Sequence, residues 1–201
     1  MQGVFAVAAC ASVLAVALIC IFLFANGIPA MSKIGFGEFL TGELWKPKND
    51  IYGIFPMIIG SLYVTAGAII IGVPIGILTA VFMAFYCPKK LYGLLKPCTE
   101  LLAGIPSIVY GLFGMLFFSG KLRFGYSMLS GALTLAIMIL PLIMRTTEEA
   151  LLSVPDMYRE GSFGLGAGRL RTVTHIVLPT AIPGVLSGII LAIGRIVGET
   201  A

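Results

Sequence analysis

The sequence predicts an all-α, polytopic membrane protein, and three observations carry that prediction. Of the 201 residues, 59% are hydrophobic and 11% charged, whereas a soluble domain carries roughly 25% charged residues. The apolar residues stand in long blocks, and a run of about 18 or more reads as a transmembrane helix. Five such blocks alternate with short polar stretches, so a helical bundle of five spans is expected.

The first span is expected at about 4–25, where Val4 to Ala25 carries no charge. It has no basic flank and exceeds the usual length of a signal-peptide core, so it reads as a span and not as a cleaved leader. A loop at 26–54 follows, rich in Gly and charge, with Trp45 and Tyr52 placed as membrane-interface aromatics. The uncharged block Ile51–Pro88 is too long for one straight crossing, since about 20 residues cover the hydrocarbon core. Pro56 lies near its start, the span proper is 57–86, and Pro74 should kink or loosen it.

The third span is expected at 100–120, after a basic loop at 88–100. Pro106 breaks the helical ladder and Gly104 permits close packing, so a kink or discontinuity is expected there. Ser107 is a candidate substrate contact beside it, whereas Tyr110, Gly111 and Gly114 read as helix-packing residues. The fourth span is expected at 124–144 and the fifth at 180–201, separated by a polar segment at 145–179. A span that reaches the end of the chain without a polar anchor suggests a fragment.

Charge sets the orientation. The first and third loops together hold five basic residues, Lys33, Lys46, Lys48, Lys121 and Arg123. The second and fourth hold seven, Lys89, Lys90, Lys96, Arg145, Arg159, Arg169 and Arg171. The positive-inside rule puts the second and fourth loops in the cytoplasm and the loop 26–54 outside. The formal charge of +4 is dispersed over these loops, which argues against a nucleic-acid partner.

Several chemistries are disfavoured. Cys10 and Cys20 would sit about 15 Å apart on one helix, too far for a disulfide. One histidine, His175, offers no histidine-based metal cluster. Scattered acids with a single histidine make no catalytic constellation, so a membrane enzyme is the weaker reading and no cofactor is expected. Ser119-Gly120-Lys121-Leu122 fails the ATP-binding phosphate-loop pattern at its first glycine and its final hydroxyl. Any ATP-driven work would need a separate subunit.

The segment 145–179 has its own helical pattern. Ser153 could cap a helix, Pro155 suits its first turn and Asp156 favours its dipole. Gly161, Ser162, Gly164, Gly166 and Gly168 permit another surface to approach the backbone. Gly166 should break the first short helix, and Arg169-Leu170-Arg171 should start a second. Pro179 and Pro183 fit the first turns of the last span.

Arg195 and Glu199 lie in the fifth span, four residues apart and on one helix face. Charges at this depth are costly and usually face a polar cavity or a partner. An arginine presents a planar fork of donors suited to a phosphate oxyanion, and Glu199 would neutralise and orient Arg195 while the site is empty. The other reading is an ion pair that only locks the bundle.

The stretch Glu160-Gly161-Ser162, three residues, Gly166, nine residues, Ile176, one residue, Leu178-Pro179 resembles the cytoplasmic motif of binding-protein-dependent ABC importer permeases. That motif reads Glu-Ala-Ala, with glycine, isoleucine and Leu-Pro at the same spacings; Gly161 and Ser162 replace its alanines. The resemblance implies a type I importer permease fold. It also implies that Glu160, Gly161, Ser162, Gly166, Ile176, Leu178 and Pro179 couple the spans to an ATPase. Leu102 to Gly111, Tyr158-Arg159-Glu160, Phe39-Leu40-Thr41-Gly42, Trp45-Lys46-Pro47 and Gly194 to Thr200 are similar to the permeases of phosphate ABC importers. Of that system's two permease subunits, the chain is more similar to the one with the longer first external loop.

The implied partners are a second homologous permease subunit, cytoplasmic ATP-binding subunits, an extracytoplasmic phosphate-binding protein, inorganic phosphate and the lipid bilayer. The implied location is the plasma (inner) membrane of a prokaryote, and a sixth span is expected after Gly198-Glu199-Thr200. The resemblance also puts Arg195 and Glu199 along the translocation path. The docking motif leaves sulfate, molybdate, a sugar or an amino acid open as substrate.

Overall fold

The structure, a computed structural model, describes residues 2–200. It divides into two compact units, Met1–Ile59 and Gly60–Ala201. Among the described residues, four helices are long and apolar enough to cross a membrane: Gly3–Ile34, Phe55–Tyr86, Met128–Leu152 and Arg169–Thr200. A bent pair, Lys89–Ala103 with Ser107–Lys121, brings the count to five if it acts as one span. The molecule is a helical membrane protein.

In the first unit, helix α1 (Gln2–Ile34) runs through Pro29 into the stretch read as loop. Its apolar side chains are exposed along its length, the all-round apolar surface that a bilayer covers. Gly35, at φ 95°, turns the chain into the short helix α2 (Phe36–Thr41). A two-stranded ribbon follows, β1 (Trp45–Lys46) pairing antiparallel with β2 (Ile51–Tyr52). Trp45 and Tyr52 are cross-strand partners with ring centroids 5.7 Å apart, edge to face. Their ring contact adds to the marginal stability of a two-residue ladder.

Helix α3 (Phe55–Val81) carries Pro74 inside it and ends in a π-helical turn, Phe82–Tyr86. Residues read as a loop at 88–100 instead form α4 (Lys89–Ala103). The charges there obey a helical period: Tyr92, Lys96, Thr99 and Glu100 share one face and the leucines the other. The stretch expected as one span at 100–120 is two helices bent by 96° at Gly104–Pro106. The second of them is α5 (Ser107–Gly114), which continues as a π-helical stretch to Lys121.

Helix α6 (Met128–Leu152) starts later and runs further than the predicted span. Ser127 caps it, its side chain accepting from the Ser130 N–H. Ser153 closes α6 instead of opening the next helix, and its hydroxyl donates to the Ala150 carbonyl. Helix α7 (Asp156–Gly164) follows, with Pro155 just before its first turn. Helix α8 (Arg169–Thr172), a π-helical turn (Val173–Val177) and α9 (Leu178–Thr200) then form one unbroken rod. Pro179 and Pro183 are therefore interior to a helix rather than at its start. The π-helical turn Val173–Val177 lies just before Pro179, where the proline removes a ladder bond.

Helix α6 is the hub of the second unit, and small residues bring its neighbours close. A Cβ at Gly72 would meet Ile139 at 3.0 Å, and one at Gly76 would meet Ile143 at 2.7 Å. On α5, a Cβ at Gly114 would lie 2.0 Å from the Thr134 hydroxyl, so this glycine is a packing residue. Gly111 faces open space and is not. On α9, a Cβ at Gly188 would lie 2.2 Å from the Thr146 hydroxyl. Thr146 is β-branched and stiff, so Gly188→Ala should destabilise by about 1–3 kcal/mol. Thermal unfolding in detergent measures this; Gly198→Ala, with open space around it, should stay within about 0.5 kcal/mol of wild type.

Candidate functional site

Three places concentrate polar chemistry on this frame: the helical segment after α6, the elbow between α4 and α5, and the contact of α4 with α6.

The segment after α6 is built as a rigid bracket. Asp156 in the first turn of α7 pairs with Arg159 at 2.8 Å, and its charge suits the positive end of the helix dipole. Glu160 is exposed on α7, and Gly161 has nothing near its missing Cβ. Ser162 turns inward, buried, and its hydroxyl meets that of Thr172 at 2.8 Å. The serine thus fastens α7 to α8, a bond that an alanine at the same position could not make.

Gly166 ends α7 in the left-handed region at φ 79°. Its N–H bonds the Phe163 carbonyl and the Ala167 N–H bonds the Ser162 carbonyl, the pair of bonds that defines a Schellman turn. At the tip stands Leu165, 91% exposed, with Met157 and Leu170 exposed on the flanking helices. The sequence reading passed over Leu165; the available signal was an apolar residue just before a helix-ending glycine. Ile176 lines a recess of about 400 Å³ with Ser162, Leu165, Gly166, Arg171 and His175. Leu178 packs on a cluster of Phe85, Leu151, Val154, Val173, Val177, Ala181 and Val185, while Pro179 is exposed.

At the elbow, Gly104 and Ile105 close the last turn of α4 through bonds to Leu101 and Leu102. Pro106 is extended, at ψ 142°, as a residue opening a new helix requires. The Val109 N–H bonds the Pro106 carbonyl at 3.0 Å, and the Ser107 and Ile108 N–H groups that open α5 have no intrahelical acceptor. Tyr110 spans the bend: its hydroxyl donates to the Leu102 carbonyl at 2.8 Å. Its ring is buried with Ile105, Ala192 and Ile196. Tyr110 is thus a packing residue that also holds the elbow.

Arg195, half-buried on α9, lies within electrostatic reach of Tyr110. Ser107 shares the Tyr110 face of α5, three residues away. The expected Arg195–Glu199 pair does not form: among the described residues neither joins an ion pair, and Glu199 is exposed. Sharing a helix face allows such a contact without requiring it.

A third polar feature had no sequence reading. Glu148 on α6 is buried and accepts from the Tyr92 hydroxyl at 2.5 Å. Lys96 donates to the same Tyr92 oxygen at 2.9 Å and stands 3.9 Å from Glu148. This tie holds the polar face of α4 against α6, beside a cleft of about 190 Å³. A buried carboxylate of this kind is tolerated only when hydrogen-bonded and paired.

Comparison with known proteins follows the same lines. Residues 72–201 match the family described as the binding-protein-dependent transport system inner membrane component. The chain is 37% identical to a probable ABC transporter permease protein, YqgI, of Bacillus subtilis, over 96% of the chain and 65% of that protein. It is 34% identical to the phosphate transport system permease protein PstC of Mesorhizobium japonicum, over 90% of the chain and 63% of that protein. The chain therefore spans a little under two thirds of these relatives' length. Its fold is similar to a chain of the inward-facing MetNI methionine ABC transporter, with a TM-score of 0.60 at 23% identity, covering 73% of this chain and 68% of that one. With its multi-pass helices and its match over 72–201, the chain belongs to the inner-membrane permease family of binding-protein-dependent ABC transport systems.

Proposed function

We propose that the chain is the transmembrane permease subunit of an ABC importer that moves inorganic phosphate into the cytoplasm. A separate ATPase subunit docks on residues 155–179 and drives it, and a second permease subunit and an extracytoplasmic phosphate-binding protein complete the system. The observation that carries this reading is the bracket of α7 and α8. It offers an exposed carboxylate, Glu160, and an exposed apolar tip, Leu165, and it continues without a break into the span bearing Arg195. A rigid element fused to a span is what a docked ATPase needs to rock that span.

In this reading Glu160, Gly161, Gly166 and Leu165 face the ATPase. Ser162 keeps the bracket closed, and Ile176, Leu178 and Pro179 carry its motion into α9. Arg195, Ser107 and Glu199 lie along the translocation path, with the opened N-terminus of α5 favouring an anion. Phosphate is supported by the relatives named as phosphate permeases and by the Arg195 guanidinium, which lies in the last span and in no ion pair among the described residues. Labelled-phosphate uptake by the reconstituted full-length complex tests the reading. Uptake that excess sulfate leaves unchanged is the expected result; equal competition by sulfate removes the phosphate assignment.

A further inference from the structure

The C-terminal end of α3 raises a question of hydrogen-bond accounting. The last carbonyls of any helix lack intrahelical donors. Here the Cys87 N–H returns to the Phe82 carbonyl through the π-turn at 2.8 Å, and the chain then leaves the helix extended. Pro88 has no N–H to give. The Phe85 carbonyl is instead satisfied from the far side of the sequence: Arg169, the first residue of α8, donates to it. The guanidinium also lies 5.2 Å from the centroid of the Tyr86 ring. Arg159 of α7, held by Asp156, sits 5.7 Å from the Phe85 ring. That ring is itself buried among Leu151, Val154, Val173 and Val177. Two arginines, one from each arm of the bracket, therefore grip two consecutive aromatic residues at the end of another span.

This geometry gives the bracket a second output. Helix α9 follows the bracket because the backbone is continuous. Helix α3 has no such link, and its end is tied to the bracket by these side-chain contacts. A cation at a helix C-terminus also complements the dipole. Arginine suits the position because a planar fork can bond a carbonyl while its face lies on a ring; an ammonium can satisfy one of these geometries at a time. We propose that Arg169 is a positioning residue through which the bracket moves α3 together with α9, so that two spans answer one docking event. The proposal rests on the reading that an ATPase drives the bracket.

The test uses the full-length permease complex in liposomes, with ATP hydrolysis and phosphate uptake measured in the same vesicles. Arg169→Gln should co-purify with the ATPase and hydrolyse ATP, yet move about tenfold less phosphate per ATP, as expected when a coupling residue is lost. Arg169→Lys, which keeps the carbonyl bond, should fall between. A wild-type ratio in Arg169→Gln, or uptake and hydrolysis falling in proportion, overturns the proposal. If Arg169→Gln does not assemble, Tyr86→Leu decides: it removes the stacked ring alone and should lower the same ratio, and an unchanged ratio again overturns it. A measurement independent of substrate places spin labels through Leu78→Cys on α3 and Ile190→Cys on α9, both exposed sites, with the native cysteines replaced by serine. The distance between the labels should hold on ATP addition in wild type and change in Arg169→Gln; a distance that holds in both defeats the proposal. Failure of wild type to take up phosphate while it binds the ATPase would count against the substrate proposed above and leaves the label test standing.

Discussion

Gly166→Val is expected to abolish co-purification of the permease with its ATPase while leaving the permease itself folded in the membrane. The cause is conformational. Gly166 sits at φ 79°, a region closed to β-branched residues, and forcing one there costs about 1–3 kcal/mol. Nothing crowds the position, since a Cβ there would meet no atom within 4 Å. The strain is relieved by opening the turn, which releases the bonds to Phe163 and Ser162 and lets α7 swing away from α8. The spans are untouched, so monodispersity in detergent should persist while docking is lost. Gly166→Asn separates conformation from bulk, because asparagine tolerates the left-handed region; it should retain docking. Gly161→Ala is the opposite case. Gly161 lies inside α7 with open space around it, so alanine should stiffen the helix by about 1 kcal/mol and leave docking intact. Unchanged co-purification and uptake in Gly166→Val would sink the assignment of this turn to the ATPase dock.

Different parts of this molecule were legible in the sequence to different degrees. The spans were readable because lipid demands long uncharged helices, and that demand is written residue by residue. The bracket was readable because the left-handed conformation of Gly166 favours glycine and because Glu160, Ile176 and Pro179 keep a fixed spacing. Helix α4 was not readable, since Lys89, Lys90, Lys96 and Glu100 look like a solvated loop until Tyr92 and Lys96 are seen to meet Glu148. Pro106 announced a discontinuity, but a 96° bend depends on Tyr110 reaching back to Leu102, a tertiary bond. Ser153 carries equal capping signals for the helix it ends and the helix it precedes; the Ala150 carbonyl decided between them. Arg169 looked like one more positive-inside residue because its acceptor lies 84 positions away. Ser153 apart, what escaped was a polar contact between separate elements, whereas what was read was local.

Arg195→Gln is expected to lower phosphate uptake about 10- to 100-fold while leaving assembly and ATPase docking intact. The guanidinium sits on α9 roughly 25 Å along the helix from Leu178, between the buried residues Ala192 and Ile196 on the same helix. A charge in such a position costs about 2.5–3.5 kcal/mol to insert. Among the described residues no ion-pair partner offsets that cost, and Glu199, the obvious candidate, is exposed and unpaired. A purely structural lock would have closed on that carboxylate. Arg195 lies within electrostatic reach of Tyr110, the residue that holds the elbow. Glutamine keeps a donor but removes the charge, and charge-assisted bonds contribute about 1.5–3 kcal/mol, so uptake should fall about 10- to 100-fold. Arg195→Lys should retain part of the activity, because it keeps the charge and loses the fork. Glu199→Gln is the discriminating control. If Arg195 serves the anion, neutralising Glu199 should cost far less than neutralising Arg195; if the two form a lock in the assembled complex, both variants should lose uptake and stability together. Persistence of uptake in Arg195→Gln would reduce the arginine to a structural residue and move the search for the anion contact to Ser107 and the N–H groups of Ser107 and Ile108 at the start of α5.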